Sequence, residues 1–408
     1  MGLQQTSTHQ GKNQSELQTK SGIVLLIIGI IFIGANLRAP ITSVGPLIAS
    51  IRDSLGISNA TAGTLTTVPL IAFALLSPFA STFARRFGME MVLLLSLILL
   101  TIGIVLRPLA GVGTLFTGTI LVGLAIAVCN VLLPSVIKQS FPQNLGIMTG
   151  VYSVSMNLCG AIASGLSVPV ASLSKFGWHG SLGYWSIFAM IAVLFWIPQI
   201  RFRHKPTVSQ TSAAQKSVSM WRSRLAWQVT FFMGLQSLIF YTVVAWLPEI
   251  LQQQGVSSNV AGWMLSLIQF AVLPFTFIVP ILAGRMRDQR LLVVITAILL
   301  VVGTTGIIYG GTVLMPLWVI MIGIGAGSAF SVAMMFFNLR TQTTHEAAEL
   351  SGMAQSFGYL LAAIGPILFG ALHDLTHNWT LPLWMLIIAS ILILVFGYGA
   401  GKKKYVSS

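Results

Sequence analysis

The chain has 408 residues, of which 55% are hydrophobic and only 7% charged. Ordinary soluble domains carry about 25% charged residues, so this composition excludes a soluble globular fold and describes a polytopic membrane protein. The net charge of +14 would suggest nucleic acid in a soluble chain, but here the positions of the charges carry the information, and no nucleic-acid partner is expected. Cys129 and Cys159 fall in apolar runs without metal-ligand spacing, so neither a disulfide nor a metal site is indicated, and no cofactor is expected.

Residues 1–21 are polar and rich in Gln, Ser and Thr, without the short apolar core and small-residue cleavage site of a signal peptide. They read as a cytoplasmic tail ahead of a retained first helix. Twelve mainly apolar runs of about 18 or more residues follow, at 22–51, 61–83, 89–106, 112–137, 146–172, 181–200, 226–251, 258–283, 291–309, 314–337, 349–372 and 381–400. All are expected to be helices. They lack the alternation of barrel strands, and lipid offers no partner to an open backbone.

With the amino terminus in the cytoplasm, 18 of the 22 Lys and Arg fall on the cytoplasmic side, among them Lys12, Arg85, Arg86, Lys138, Arg201, Arg203, Lys205, Lys216, Arg340 and Lys402 to Lys404. The opposite side keeps Arg52, Arg107 and Lys175, and Arg38 lies in the membrane. This bias puts both termini in the cytoplasm. A basic linker at 201–225 divides the chain into a first bundle, 22–200, and a second, 226–400, before a cytoplasmic tail at 401–408. Positions about 200 apart match across the two: Ser58-Asn59 with Ser258-Asn259, Gly123 with Gly323, Thr149-Gly150 with Ser351-Gly352. Two such halves around an axis along the membrane normal place a cavity between them at mid-depth, the architecture of alternating access.

The run Ser81-Thr82-Phe83-Ala84-Arg85-Arg86-Phe87-Gly88-Met89-Glu90, with a second copy at Gly284-Arg285-Met286-Arg287-Asp288-Gln289-Arg290, resembles the loop between the second and third helices of the major facilitator superfamily. The resemblance covers all twelve helices. Arg86 and Gly88 keep their places, whereas Arg85 replaces the family's acid, with Glu90 and Asp288 as the possible substitutes in a charge-pair gate. In the first helix, Asn36-Leu37-Arg38-Ala39-Pro40 and Ser43-Val44-Gly45-Pro46-Leu47 resemble the bacterial cyanate and 2-nitroimidazole transporters. That likeness implies a small planar anionic or polar substrate. The gating loops are then Arg86, Gly88, Arg285 and Asp288.

A cation at mid-membrane marks a substrate path by default, and Arg38 is the one this chain has. Arg38 and Thr42 are four apart and share a helix face, extended by Gly34 and Gly45. Counting in from the helix ends puts Asn36, Arg38, Thr42, Asn130 and Asn157 of the first bundle at cavity depth. Gln236, Tyr241, Gln269 and Tyr359 of the second reach similar depth, with Gln355 a turn nearer the cytoplasm. Phe240, Tyr241, Trp246, Trp263, Phe357 and Tyr359 could stack on a flat solute, while Trp178, Trp185 and Trp379 read as interfacial anchors. All eight acids fall in tails, loops or helix ends, which argues against a cationic substrate and leaves proton coupling, though expected, without an obvious residue.

No nucleotide-binding loop, nucleophile elbow or metal motif is present in the sequence, so neither an enzyme nor a primary pump is indicated. The expected protein is a monomeric, all-α secondary transporter of the bacterial cytoplasmic membrane, its partners a small-molecule substrate and the bilayer. The alternative is a multidrug or metabolite exporter of the same fold in which Arg38 is structural.

Overall fold

The computed structural model describes residues 20–57, 59–109, 111–202 and 220–407. All but the last two residues of the expected tail 1–21, with Lys12, lie outside them, as do Ser58 and, in the expected linker, Arg203, Lys205 and Lys216. Among the described residues there is no strand, and twelve helical spans are long and apolar enough to cross a membrane. Spans 1 to 6 run Gly22–Leu47, Thr64–Phe87, Met89–Leu106, Gly111–Ser140, Pro142–Leu173 and Trp178–Arg201. Spans 7 to 12 run Arg224–Gln253, Trp263–Arg285, Arg290–Tyr309, Met315–Leu339, Thr344–His373 and Thr380–Ala400.

The first run departs from a single helix through 22–51. A regular helix, Lys20–Asn36, stops at a turn over Leu37 and Arg38; a four-residue helix, Ala39–Thr42, a 3-10 turn, Gly45–Leu47, and a separate helix, Ile48–Leu55, follow. Pro40 and Pro46 cause this, since each lacks an N–H and clashes one turn back. Around the break the Arg38 carbonyl keeps its helical bond from Thr42 N–H at 3.0 Å and adds one from Thr42 Oγ1 at 3.2 Å, and the Pro40 carbonyl accepts from Arg107 Nη1. Arg107 is thus no loop charge. It is 2% exposed, and its Nε donates to Thr119 Oγ1 at 3.2 Å.

Glycines recur where helices touch, and they do so in matching pairs. A Cβ on Gly123 would stand 3.0 Å from Pro69 Cα of span 2, and one on Gly323 would stand 3.2 Å from Ile268 Cα of span 8. Without a driving hydrophobic force in lipid, such close backbone approach is what holds helices together. The matched spacing in the sequence is therefore largely a record of packing.

The same device joins the two halves. A Cβ on Gly352 would meet the Ser77 carbonyl at 2.7 Å, one on Gly146 would run into the Pro280 carbonyl, and one on Gly150 would meet the Phe277 carbonyl at 3.1 Å. Gln355 Nε2 donates to the Asn130 carbonyl at 3.0 Å, and Lys138 Nζ donates to the Asn338 carbonyl at 2.9 Å and Thr341 Oγ1 at 2.7 Å. Lys138 so caps the end of span 10, where a cation meets carbonyls that have no partner within their own helix. These contacts cluster between mid-depth and the end of the molecule that carries Arg85, Arg86, Arg285, Arg287 and Lys402, here the basic end.

Two further expectations change. Trp178 and Trp379 are only 6% and 5% exposed, so they are packed core residues; Trp379 stacks on His373 at 3.9 Å. Residues 401–406 are held against Arg340, whose guanidinium donates to the Ala400 and Gly401 carbonyls at 2.6 and 2.9 Å and to Gln289 Oε1. Burial lowers the Arg340 pKa to about 10, which leaves it charged at neutral pH.

Gly352→Leu has no room while spans 2 and 11 touch. Electron-electron distance measurements between nitroxides on Phe87→Cys and Gln342→Cys, both exposed at the basic end, should shift to longer distances in this variant, and an unchanged distribution would contradict the seal described here.

Candidate functional site

The break in span 1 presents Arg38 to span 5, where Gly160 lies beneath its stem. A Cβ on Gly160 would stand 3.1 Å from Arg38 Cγ and Cδ, so the missing side chain lets the arginine lie along the helix. Arg38 Nη1 donates to Asn157 Oδ1. The Asn157 amide nitrogen donates in turn to the Ser153 carbonyl at 2.8 Å, which fixes the amide so that its oxygen faces the cation. From the other half, the Phe240 ring centroid lies 4.9 Å from Arg38 Cζ, a cation-π contact worth about 1 kcal/mol.

Asn157 occupies one of the five N–H donors of the guanidinium. Arg38 is half-buried and, among the described residues, forms no ion pair. A strongly polar group is thus left partly unanswered inside an apolar shell.

Arg38 and Asn157 line a cavity between the halves together with Met233, Gln236, Ser237, Phe240 and Tyr241 of span 7, Val272 of span 8, Ala326 and Phe330 of span 10 and Tyr359 of span 11. It gives the centre of a water-sized sphere about 30 Å³, room for about two or three waters. The lining combines one cation, two amides and four aromatic rings, with no acid. Tyr359 is braced by Phe73 of the opposite half, ring centroids 4.8 Å apart.

Of the residues singled out by depth, Arg38, Asn157, Gln236, Tyr241 and Tyr359 meet on this cavity, and the rest do not line it. Asn36 is 1% exposed and donates to the Phe32 and Phe188 carbonyls at 2.8 and 3.1 Å, tying span 1 to span 6. Thr42 keeps the face it shares with Arg38, its N–H bonded to the Arg38 carbonyl at 3.0 Å and both side chains turned to Gly160, but its hydroxyl is taken up by the Gly160 carbonyl at 2.8 Å. Gly34 packs on the Tyr152 carbonyl. Gln355 is part of the seal, and its amide also donates to Ser351 Oγ at 2.8 Å. Gln269 and Asn130 are half-buried; Asn130 contributes its carbonyl to the seal.

Among the aromatics, Trp246 donates to the Pro366 carbonyl at 2.9 Å, Trp263 is 64% exposed, and Phe357 packs on Trp221 and Trp227. Phe330 escaped the sequence reading. Its signal is the repeat: position 330 corresponds to 130, and both are half-buried in otherwise buried stretches of spans 10 and 4.

The gating loops also differ from expectation. Arg86 is exposed, its guanidinium carbon 5.4 Å from the Phe87 ring centroid, and Gly88 takes φ 85 at the start of span 3, a conformation that needs glycine. Arg285 is exposed, and Asp288 acts electrostatically on Arg340 of its own half. Among the described residues, a charge pair that crosses the seam is Arg85 with Glu349, at 3.9 Å, Glu349 also bonding His345 at 3.0 Å. At the position where the family places its acid, the sign is reversed, and the acid comes from span 11.

Two six-helix halves meeting at a polar mid-depth cavity define a solute carrier. The model of the major facilitator superfamily matches residues 24–366 and 250–405, and the chain belongs to that superfamily. It is 50% identical over 382 residues to the uncharacterized transporter YycB of Bacillus subtilis (strain 168), covering 93% of this chain and 94% of that one. It is 41% identical over 385 residues to the 2-nitroimidazole transporter of Escherichia coli (strain K12), 93% and 96% covered, and 25% identical over 359 residues to the cyanate transport protein CynX of the same organism, 87% and 91% covered. In fold it is similar to the proton:xylose symporter XylE, TM-score 0.78 at 13% identity, covering 95% of this chain and 98% of that one. The protein is a multi-pass membrane transporter of small solutes.

The Arg38–Asn157 contact makes a stability prediction. Asn157→Leu leaves the guanidinium in the lining without its amide and should destabilise the purified protein by about 2 kcal/mol, read as a lower unfolding temperature in detergent. Arg38→Met should offset part of that loss. A double-mutant cycle with no coupling would show that the two side chains do not depend on each other.

Proposed function

We propose that this transporter carries a small planar anion or polar heterocycle, held at Arg38 while the two halves rock about the cavity. The observation that carries this reading is the Arg38 guanidinium, fixed on one side by Asn157 and otherwise directed into a lining without acids. A guanidinium fork can donate two parallel hydrogen bonds to a flat anion or nitro group, and Phe240, Tyr241 and Tyr359 supply aromatic surface for its faces. The absence of a carboxylate in the lining opposes a cationic solute. The substrates named for the two Escherichia coli relatives, 2-nitroimidazole and cyanate, are of this class.

The cavity volume orders the candidates. A triatomic anion such as cyanate occupies about the space of two waters and fits as the side chains stand. A nitro-substituted ring requires Phe240 or Tyr241 to move. The charge bias makes the basic end cytoplasmic, both termini with it, in the bacterial inner membrane, so the cavity is sealed toward the cytoplasm. Alternation then requires the Gly352–Ser77, Gly146–Pro280 and Lys138 contacts to open. One chain supplies both walls of the cavity, so the monomer is the transporting unit. A coupling proton would need a carrier other than a cavity carboxylate.

Uptake of labelled cyanate and 2-nitroimidazole into vesicles tests the reading. Arg38→Ala should lower uptake about 10- to 100-fold, the worth of a hydrogen bond to a charged group, and Arg38→Lys, which keeps the charge but not the fork, should recover only part of it. Near-normal uptake by both variants would remove Arg38 from the mechanism. Resistance to several unrelated compounds on overexpression would instead favour an exporter with a structural arginine.

A further inference from the structure

A second concavity lies at the basic end of the second half, away from the seam. It forms where spans 7 and 9 begin and span 12 ends, and gives the centre of a water-sized sphere about 450 Å³. Arg222, Arg224, Arg290, Lys402 and Lys404 line it. Among the described residues none of these five forms an ion pair. Arg290 is held in place by donating to the Tyr398 carbonyl at 3.3 Å and lying 4.4 Å from its ring centroid.

Five cations around one space repel one another unless an anion joins them. The chain itself has little to offer: the nearby acid Asp288 acts on Arg340 and does not line the pocket, residues 203–219 carry Arg203, Lys205 and Lys216 with no acid, and residues 1–19 hold one acid, Glu16, with Lys12. The wall is nevertheless deliberately built. Arg340 anchors the segment bearing Lys402 and Lys404 through the Ala400 and Gly401 carbonyls, and the Arg340 carbonyl accepts the Val406 N–H at 2.9 Å.

Its depth points to the source of the anion. Trp221, 54% exposed, packs on Trp227 beside it, and such rings settle at the level of lipid headgroups. Just below, exposed Leu291 and Ile295 of span 9 and Val395 of span 12 offer apolar surface to acyl chains. We infer that this pocket binds the phosphate headgroup of an anionic phospholipid from the leaflet at the basic end. Its arginines suit a phosphate through paired N–H donors, and the lipid clamps the starts of spans 7 and 9 to the end of span 12, a part of the fold that remains together while the seam opens.

Native mass spectrometry of the full chain with phosphatidylglycerol or phosphatidylcholine tests this directly. Phosphatidylglycerol should be retained preferentially, and an equal molar amount of inorganic phosphate should not displace it. Arg224→Gln with Arg290→Gln should weaken phosphatidylglycerol binding about 25-fold, taking about a fivefold factor per cation near the surface. Arg201→Gln with Arg287→Gln, which removes the same charge from exposed positions on the same face, should change it less than about twofold. Equal retention of both lipids, which needs no variant to observe, would overturn the proposal, as would equal losses in the two charge-matched variants. Displacement by free phosphate would reassign the pocket to a soluble anion.

Discussion

A guanidinium at the depth of the hydrocarbon core has to be answered by something polar, and the first half of the molecule is arranged around how that is done. Pro40 breaks span 1 immediately after Arg38, which frees carbonyls and turns the side chain out of the helix line. Arg107 answers the Pro40 carbonyl. Gly160 makes room for the stem, and Asn157, oriented by the Ser153 carbonyl, takes one N–H. Each of these residues has a structural explanation in serving that break, yet together they leave most of the guanidinium's donors unmet by protein. What distinguishes Arg38 from the fully buried Arg107 is its place, half-buried and on the wall of the cavity.

The seam that encloses it is held by contacts of a different kind. Close backbone approach at Gly352, Gly146 and Gly150 gives dispersion contact without long interlocking side chains. The polar contacts that cross there, Gln355 to Asn130 and Lys138 to the end of span 10, end on backbone carbonyls and on the Thr341 hydroxyl. The Arg85–Glu349 pair, exposed on the arginine side and 3.9 Å long, contributes little on its own. Separating such a surface withdraws few large side chains, chiefly Lys138 from span 10 and Phe73 from Tyr359, which suits halves that must rock. Within each half, by contrast, Trp379, Trp178 and Arg340 interlock deeply.

Depth was legible in the sequence, and rotation was not. Counting residues from the ends of apolar runs located the twelve spans and put Arg38, Asn157, Gln236, Tyr241 and Tyr359 at the level where the cavity lies. The same counting included Asn36, Thr42 and Gln355, which point into helix contacts instead. Helices apolar on every side have no polar face to reveal which way a side chain turns. At helix ends the limit is different: Arg107, Lys138 and Arg340 read as loop charges because their burial depends on neighbours far along the chain. The one clue to rotation was the internal repeat, through which Phe330 corresponds to Asn130.

The central claim is that the solute meets Arg38 between the two halves. A structure determined with cyanate or 2-nitroimidazole bound tests it most directly. The account predicts solute density within about 3 Å of the Arg38 guanidinium nitrogens, flanked by Asn157 and the rings of Phe240, Tyr241 and Tyr359. Solute bound elsewhere, with Arg38 still engaged only by Asn157 and Phe240, would contradict it.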